Sequence, residues 1–399
     1  MVIEEKILHG VCLTAHPTGC KQYTEDEIAF VEDACKGLKG DRYAPFEKKP
    51  LKVLVLGCST GYGLSTRIVQ AFANGSDTLG VSYERSPKSN KSATPGWYNI
   101  QVFEQEAKKR GLYAKTLNGD AFSFEMKEQV ANLIKTEMGG HVDLVVYSLA
   151  SPVRLDPTDG KVYKSVLKPI GEEYSNLTLN VSTGILEKVS IAPATEEQVE
   201  ATVKVMGGED WALWIDYLLK ENCLSQGAKT VAYSYIGPKV TVPIYRHGTI
   251  GQAKTHLEHT IPQLNEKLAA INGKAFVSVN KALITRASAV IPVVPLYTAI
   301  LYRVMKEKNI HEDCIDQMYR LYHDKFKNET VESDGLIHMD DFEMREDVQQ
   351  EIEEIWTRLK EGELFTEGNL EEFKTYYSHL HGFGYPQIDY TQDVNPLEV

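Results

Sequence analysis

Residues Leu51 to Ile68 read LKVLVLGCSTGYGLSTRI: an apolar run, then Gly57, Gly61 and Gly63, then a stretch with helical character. A strand that ends on closely spaced glycines and passes straight into a helix is the opening of a βαβ unit, and it commits the chain to a parallel sheet with helical crossovers. The glycines also permit a tight turn in which backbone N–H groups approach a pyrophosphate, at a helix N-terminus whose aligned peptide dipoles favour negative charge. The spacing is GxxxGxG, and glycines in this position could equally make a bare turn. The downstream sequence decides between the two.

Strand-like runs recur at Thr78 to Glu84, Leu112 to Asp120, Asp143 to Leu149, Thr230 to Tyr235 and Ala275 to Asn280, with helical segments between most of them. That alternation predicts an α/β fold, a Rossmann-type doubly wound parallel sheet covered on both faces. Ligands of such sheets bind at the carboxyl edge of the strands, so the strand-end residues are the candidates for contact. The strand TLGVSYE ends at Glu84, 21 residues beyond Gly63. An acidic group there can accept hydrogen bonds from ribose hydroxyls and repels a 2′-phosphate, which favours NADH; Arg85 beside it is a group that would accommodate the phosphate instead. GDAF places Asp120 and Ala121 where adenine would lie, and YSLAS, Tyr147 to Ser151, offers small residues for close approach.

With 399 residues, 42% of them hydrophobic, the chain can bury the core of one large domain or of two closely packed ones. A net charge of −13 argues against broad binding to nucleic acid or an anionic membrane, and any phosphate site must be local. The acidic N-terminus lacks a secretory n-region, no apolar run approaches a membrane span, and the expected location is cytoplasmic. The six cysteines are scattered and are expected to be reduced, and His16 with Cys20 falls short of a metal-ligand set, so no metal is expected.

After Ala150 the alternation breaks, and residues 151–225 read as an insertion serving as a substrate lid. Within it NLTLNVSTGILEKVSI reads as two short strands around Ser182-Thr183-Gly184, and Trp211, Trp214, Tyr217 and Leu218 share one helical face suited to packing. Residues 1–310 form the expected cofactor-binding and catalytic unit, and 311–399 a helical C-terminal subdomain packed on it.

Between Tyr233 and Lys254, YSYIGPKVTVPIYRHGTIGQAK pairs Tyr245 with a lysine nine residues later. Nine residues are about two and a half helical turns, so one regular helix would point these side chains apart. RHGT offers a glycine and an N-cap before a helix beginning at Ile250, whose apolar stripe is Ile250, Ala253, Leu257, Ile261, Leu264 and Leu268, with Pro262 placed to bend it. A loop ahead of that helix can return Tyr245 to the side of Lys254. A tyrosine is a poor base but a useful donor, and a neighbouring ammonium stabilises developing tyrosinate, as carbonyl polarisation requires.

The Y-x8-K pair, together with GCSTGYG, TPGWYN, YSLASPVR, VMGGEDW, AYSYIG, GTIGQAK and VNKALITRASAVIP, resembles the trans-2-enoyl-CoA reductases, also called FabV-type enoyl-ACP reductases, enlarged relatives of the short-chain dehydrogenases. The resemblance runs over nearly the whole chain. It implies NADH-dependent reduction of the 2,3 double bond of a trans-2-enoyl thioester carried on coenzyme A or acyl-carrier protein, in fatty-acid synthesis or fermentative chain reduction, by a monomer or homodimer. It makes Tyr245 the proton donor, Lys254 its cofactor-contacting partner and Tyr235 a substrate contact. It assigns the NADH site to Gly57, Cys58, Ser59, Thr60, Gly61, Tyr62 and Gly63, with Tyr83, Glu84, Asp120, Ala121, Leu149, Ala150, Leu283, Ile284 and Thr285. The family's C-terminal segment is sometimes described as flavin-binding, but this sequence carries no independent flavin motif.

Two other functions compete. A ketoreductase on the same cofactor fold would need a serine and a Y-x3-K arrangement that is not evident, and a noncatalytic dinucleotide sensor would have no use for an intact Tyr245 and Lys254. Tyr233 reads as structural although it shares a face with Tyr235 by period two. Met206, Trp211 and the run Ala289 to Tyr297 suit packing or an acyl channel, and Lys161, Lys164, Lys168, Lys281 and Arg286 suit a solvated surface or a phosphate.

Overall fold

The computed structural model describes residues 1–8, 10–40, 43–286, 288 and 291–399. Its centre is a seven-stranded, wholly parallel sheet whose strands we number in chain order: β1 Lys52–Leu56, β2 Asp77–Ser82, β3 Ala114–Asn118, β4 Val142–Tyr147, β5 Leu224–Ser234, β6 Lys274–Val279 and β7 Ile337–His338. The spatial order is β3-β2-β1-β4-β5-β6-β7, so the strand order reverses between β1 and β4, and the crevice of a doubly wound sheet opens there.

Alternate residues of β1 explain why two helical layers are needed. Val53 and Val55 point into a core shared with helix α1 (Pro17–Cys35), α2 (Gly61–Ile68), α3 (Pro95–Lys109) and α9 (Cys314–Arg320). Leu54 and Leu56 point into the opposite core, shared with α4 (Phe124–Glu137), α6 (Glu209–Lys220) and α7 (Thr249–Leu268). A strand buried on both faces must be apolar throughout, as LKVLVL is. On the second face Trp211 and Trp214 are fully buried, their indoles donating to Thr230 Oγ1 at 2.8 Å and the Ala121 carbonyl at 3.1 Å, which settles that stripe as packing.

The six strands expected from sequence are present with shifted ends. β5 starts at Leu224, six residues early, because its register against β4 slips between Leu224 and Lys229 and interrupts the apolar pattern. The edge strand β7 is only two residues long and leaves no periodicity to read. Residues 151–225 hold two antiparallel hairpins, Val153–Leu155 with Val162–Lys164 and Tyr174–Leu179 with Leu186–Ile191, then α5 (Glu196–Met206) and α6. The second hairpin turns through Ser182-Thr183-Gly184, Gly184 taking φ +75°. Its Leu179 and Leu186 share a third core with α8 (Val294–Glu307), α10 (Glu346–Arg358) and α11 (Leu370–His379).

Where α1 crosses α2, Glu27 is buried and accepts from Tyr23 Oη at 2.7 Å and Ser65 Oγ at 3.2 Å. Loss of hydration pushes its carboxyl up to about 8. The folded state therefore holds this proton at pH values where the unfolded chain has released it, so the contribution to stability is complete below the ordinary carboxyl value and is lost as pH rises through about 8. Glu27→Gln keeps the shape and removes the titration. Thermal melts should show the variant gaining on the parent between pH 6 and 8.5, by about 2 °C or more; a constant difference across that range would contradict the assignment.

Candidate functional site

The three glycines have three separate reasons. Gly57 takes φ +84°, and a Cβ there would lie 2.3 Å from the Ser148 carbonyl oxygen at the end of β4. Gly61, at φ +55°, opens α2. A Cβ on Gly63 would lie 1.8 Å from the Gly57 carbonyl oxygen, so only glycine lets α2 settle this closely on the strand end. Thr60 holds the N-cap position without a side-chain cap bond, which leaves the first-turn amides of α2 to other acceptors.

Around this turn the strand ends converge. Leu149 packs beside Gly57, and Thr285 stands over Gly61, its methyl 3.8 Å from where a Cβ would be. Thr60, Gly61, Ile284, Thr285 and Arg286 line one pocket with Asn99, whose Nδ2 donates to the Ser59 carbonyl at 3.2 Å while its buried Oδ1 has no partner among the described residues. Glu84 turns inward: its carboxylate accepts from Ser59 Oγ at 2.7 Å and meets Arg286 at 3.4 Å. Gly96 makes room for it, since a Cβ there would lie 2.2 Å from Glu84 Oε1. Asn118 clamps the Glu84 backbone from both sides, accepting from its N–H at 2.7 Å and donating to its carbonyl at 2.8 Å.

Tyr83 is 83% exposed and Ala150 is exposed, whereas Cys58 is buried under the turn. The Tyr62 hydroxyl donates to the Lys281 carbonyl at 2.7 Å, tying α2 to the end of β6. Asp120 caps its own turn by accepting from Phe122 N at 2.9 Å, and Ala121, beyond β3, receives Trp214 and Lys127 on its carbonyl. Lys281 is no phosphate ligand: it is fully buried, and its ammonium donates to the carbonyls of Ala282 and Glu312, both at 3.1 Å. In the apolar run from Ala289, Val293, Leu296 and Tyr297 are fully buried, while Ala289, Val290 and Ala287 of the motif before them lie outside the described residues.

Glycine also sets the path of the chain between Tyr245 and Lys254. β5 ends at Ser234, the chain coils through residues 238–248, and α7 begins at Thr249 with Gly248, not Thr249, at the cap. The Thr249 hydroxyl donates to the Val166 carbonyl instead. A Cβ on Gly251 would lie 2.0 Å from the Arg246 carbonyl oxygen and 2.5 Å from that of Tyr245, so the loop lies directly on the first turn of the helix. The helix then runs unbroken through Pro262.

On this loop Tyr245 meets Tyr235 edge to face, ring centroids 5.0 Å apart and planes at 89°. Among the described residues the Tyr245 hydroxyl has no hydrogen-bond partner, and burial followed by the nearby Glu343 charge raises its pKa above the ordinary phenol value. Lys254 donates to the Tyr233 carbonyl at 3.1 Å, at the end of β5. Burial lowers its pKa to about 8; Glu258, which opposes this, is itself engaged by Arg246 at 2.8 and 3.0 Å. Tyr233 turns the other way, its hydroxyl held by Thr66 at 2.6 Å and Tyr322 at 2.7 Å. Strand geometry stops at Ser234, so period two does not carry over to Tyr235. Sequence reasoning missed Glu343, which accepts from Tyr235 Oη at 3.2 Å; within DDFEMRED nothing distinguishes it from the surface acids around it.

The glycine turn, the inward Glu84 and Asn99 Oδ1, which has no partner among the described residues, fit a dinucleotide. The family models that match this chain are the NAD(P)H binding domain of trans-2-enoyl-CoA reductase over residues 2–89, the trans-2-enoyl-CoA reductase catalytic region over 91–326 and the enoyl reductase FAD binding domain over 331–394. An enoyl-[acyl-carrier-protein] reductase [NADH] of Flavobacterium johnsoniae is 49% identical, with 100% of this chain and 98% of the relative covered. Among solved structures, the Treponema denticola trans-2-enoyl-CoA reductase in complex with NAD has 45% identity and TM-score 0.93 over 99% of this chain and 98% of that one. The Clostridium acetobutulicum enzyme in complex with NADH has 44% identity and TM-score 0.92 over 99% and 98%.

Segment 331–394 shows no glycine cradle like that of residues 57–63 among the described residues. Its helices spend their apolar faces, Val348, Ile352 and Ile355 on α10 and Phe373 and Tyr377 on α11, in the core they share with α8. Gly335 and Gly362 stand at open turns, not between a strand and a helix N-terminus. With its glycine cradle, its Y-x8-K pair and its full-length likeness to these enzymes, the chain belongs to the trans-2-enoyl-CoA reductase family.

Proposed function

We propose that this protein reduces the 2,3 double bond of trans-2-enoyl thioesters with NADH. The observation that carries the reading is the edge-to-face pair of Tyr245 and Tyr235 beyond β5, with Lys254 bonded to the Tyr233 carbonyl at the end of that strand, on the sheet edge that also carries the glycine turn and Glu84.

NADH, when bound, supplies the hydride that saturates C3. The backbone amides of Gly57 to Gly63 would hold its pyrophosphate, Asn99 and Thr285 would border it, and Glu84 would accept from the adenosine ribose while repelling a 2′-phosphate. Tyr83, Asp120, Ala121, Leu149, Ala150, Leu283 and Ile284 complete its surroundings. Tyr245 donates its hydroxyl proton to the thioester oxygen, where negative charge develops, in a site that has already shed most of its water. Lys254 would contribute a positive charge that stabilises the tyrosinate and would hydrogen-bond the cofactor ribose; the enol O–H proton then returns to the tyrosinate as C2 takes one proton from solvent, so one hydride and one net proton are added. Tyr235 fixes the face of Tyr245 on the substrate side.

The charge on Lys254 sets an alkaline limit. Above about pH 8 the buried ammonium loses its proton, so kcat should fall through that value in the parent. Lys254→Arg, which stays charged, should move the limb upward even if its kcat is lower. A limb that does not move would assign it to another group.

The relatives' names divide between enoyl-acyl-carrier-protein and enoyl-CoA substrates. We propose that either carrier presents the acyl chain beneath the lid formed by residues 151–225 on a catalytic unit of residues 1–310, with residues 311–399 packed against it. We place the enzyme in the cytoplasm as a monomer or homodimer; no helix among the described residues is long and apolar enough to cross a membrane. The deciding experiment follows NADH oxidation with crotonyl-CoA, then with longer enoyl-CoA and enoyl-acyl-carrier-protein substrates, and identifies the saturated product by mass. NADH binding without turnover on all of them would favour a sensor, and turnover only on ketoacyl thioesters would favour a ketoreductase.

A further inference from the structure

Glu343 lies beyond β7 and is wholly buried, yet among the described residues no ion pair holds it. Its Oε1 accepts from Tyr297 Oη of α8 at 2.7 Å and from Tyr235 Oη at 3.2 Å, and its Oε2 accepts from Ala282 N, just past β6, at 2.6 Å. Gln349 of α10 closes the group, donating to the Glu343 carbonyl at 2.7 Å and to Tyr297 Oη at 3.2 Å. One carboxylate thus joins the exit of β5, the segment Ala282 to Thr285 that borders the glycine cradle, and α8, while α10 holds its backbone carbonyl. A buried carboxylate is costly in an apolar core unless a function keeps it there, and a tyrosine pair packed edge to face needs one ring fixed before the other can be aimed.

We propose that Glu343 is a positioning residue for the reduction, acting through Tyr235: it fixes the hydroxyl, and so the ring, against which Tyr245 stands. The proposal rests on the enoyl-thioester reading above. All three groups facing the carboxylate donate to it, so the arrangement is that of the ionised form. The other charged and titratable groups around it are Lys281, whose ammonium is spent on backbone carbonyls, with Asp340, Tyr245 and Tyr62. Burial raises its carboxyl to about 7. On protonation one oxygen becomes a donor and must release a partner, and the longest contact, to Tyr235, is released first.

The parent should therefore show an acid limb in kcat near pH 7, separate from the alkaline limb of Lys254. In Glu343→Gln the amide cannot accept from both tyrosines and Ala282 N at once; kcat should fall about tenfold or more with the KM for NADH changed less than twofold, and the acid limb should disappear. In a Tyr235→Phe background the same substitution should cost less than twofold. An undiminished loss in that background, or an equal rise in the NADH KM, would make Glu343 a packing residue and overturn the proposal. Should Glu343→Gln fail to fold, Tyr235→Phe alone decides, because the acid limb must vanish with the tether and its persistence refutes the role. Infrared difference spectra read the contact without turnover. The carboxyl band that titrates near pH 7 must shift in Tyr235→Phe, and an unshifted band defeats the proposal even if the parent reduces no enoyl thioester.

Discussion

Tyr245→Phe should lower kcat by about 10³-fold and leave the fold and the NADH affinity almost unchanged. The size follows from removing the only phenol in the pair whose hydroxyl is uncommitted: Tyr235 donates to Glu343, whereas the Tyr245 hydroxyl meets no partner among the described residues. Deleting a donor aimed at developing oxyanion charge costs about 10²- to 10³-fold, and a general acid is worth about 10²- to 10⁴-fold. The ring remains, so its edge-to-face contact with Tyr235 and the packing of the loop survive, and melting temperature and NADH fluorescence titration should match the parent. Steady-state rates at saturating NADH and enoyl thioester give the result. A loss smaller than tenfold would mean that another group protonates the thioester oxygen, and the first to examine would be Tyr235 at a pH where Glu343 is protonated.

How far this site was legible in the sequence depended on whether its residues are neighbours in the chain. The strand-glycine-helix opening and Glu84 follow from local rules, because a βαβ crossover fixes where the second strand must end. Tyr245 and Lys254 stood out for a similar reason: the spacing excluded a single helix, and the glycine of RHGT offered a way round it. Glu343 was not legible, because it reaches Tyr235 from 108 residues away through an edge strand of two residues, and an acid that enters a core is spelled like an acid that faces water. Lys281 failed in the other direction. It reads as a lysine for a solvated surface or a phosphate, but it is buried and ends on two backbone carbonyls. The Tyr233 and Tyr235 alternation failed because periodicity holds only while the strand lasts, and β5 stops between them.

Gly251→Ala tests the loop geometry without touching any group that does chemistry. The added methyl must displace carbonyl oxygens 2.0 and 2.5 Å away, on Arg246 and Tyr245, neither of which is a flexible side chain that could swing aside. Either the loop lifts from α7 or the helix retreats, and in both cases Tyr245 moves relative to Lys254 by about 1 Å. A displacement of that size in a reacting constellation costs about 10²-fold. We therefore expect kcat to fall by about two orders of magnitude while the NADH dissociation constant changes less than about threefold, the glycine turn of residues 57–63 lying outside the disturbed contact. Gly63→Ala is the control with the opposite signature, since its methyl would push α2 off the Gly57 carbonyl and NADH affinity should fall first. If Gly251→Ala retained parental kcat, the loop and helix would be shown to move as one body, and the close contact at Gly251 could not be what brings residues nine apart in sequence to a common site.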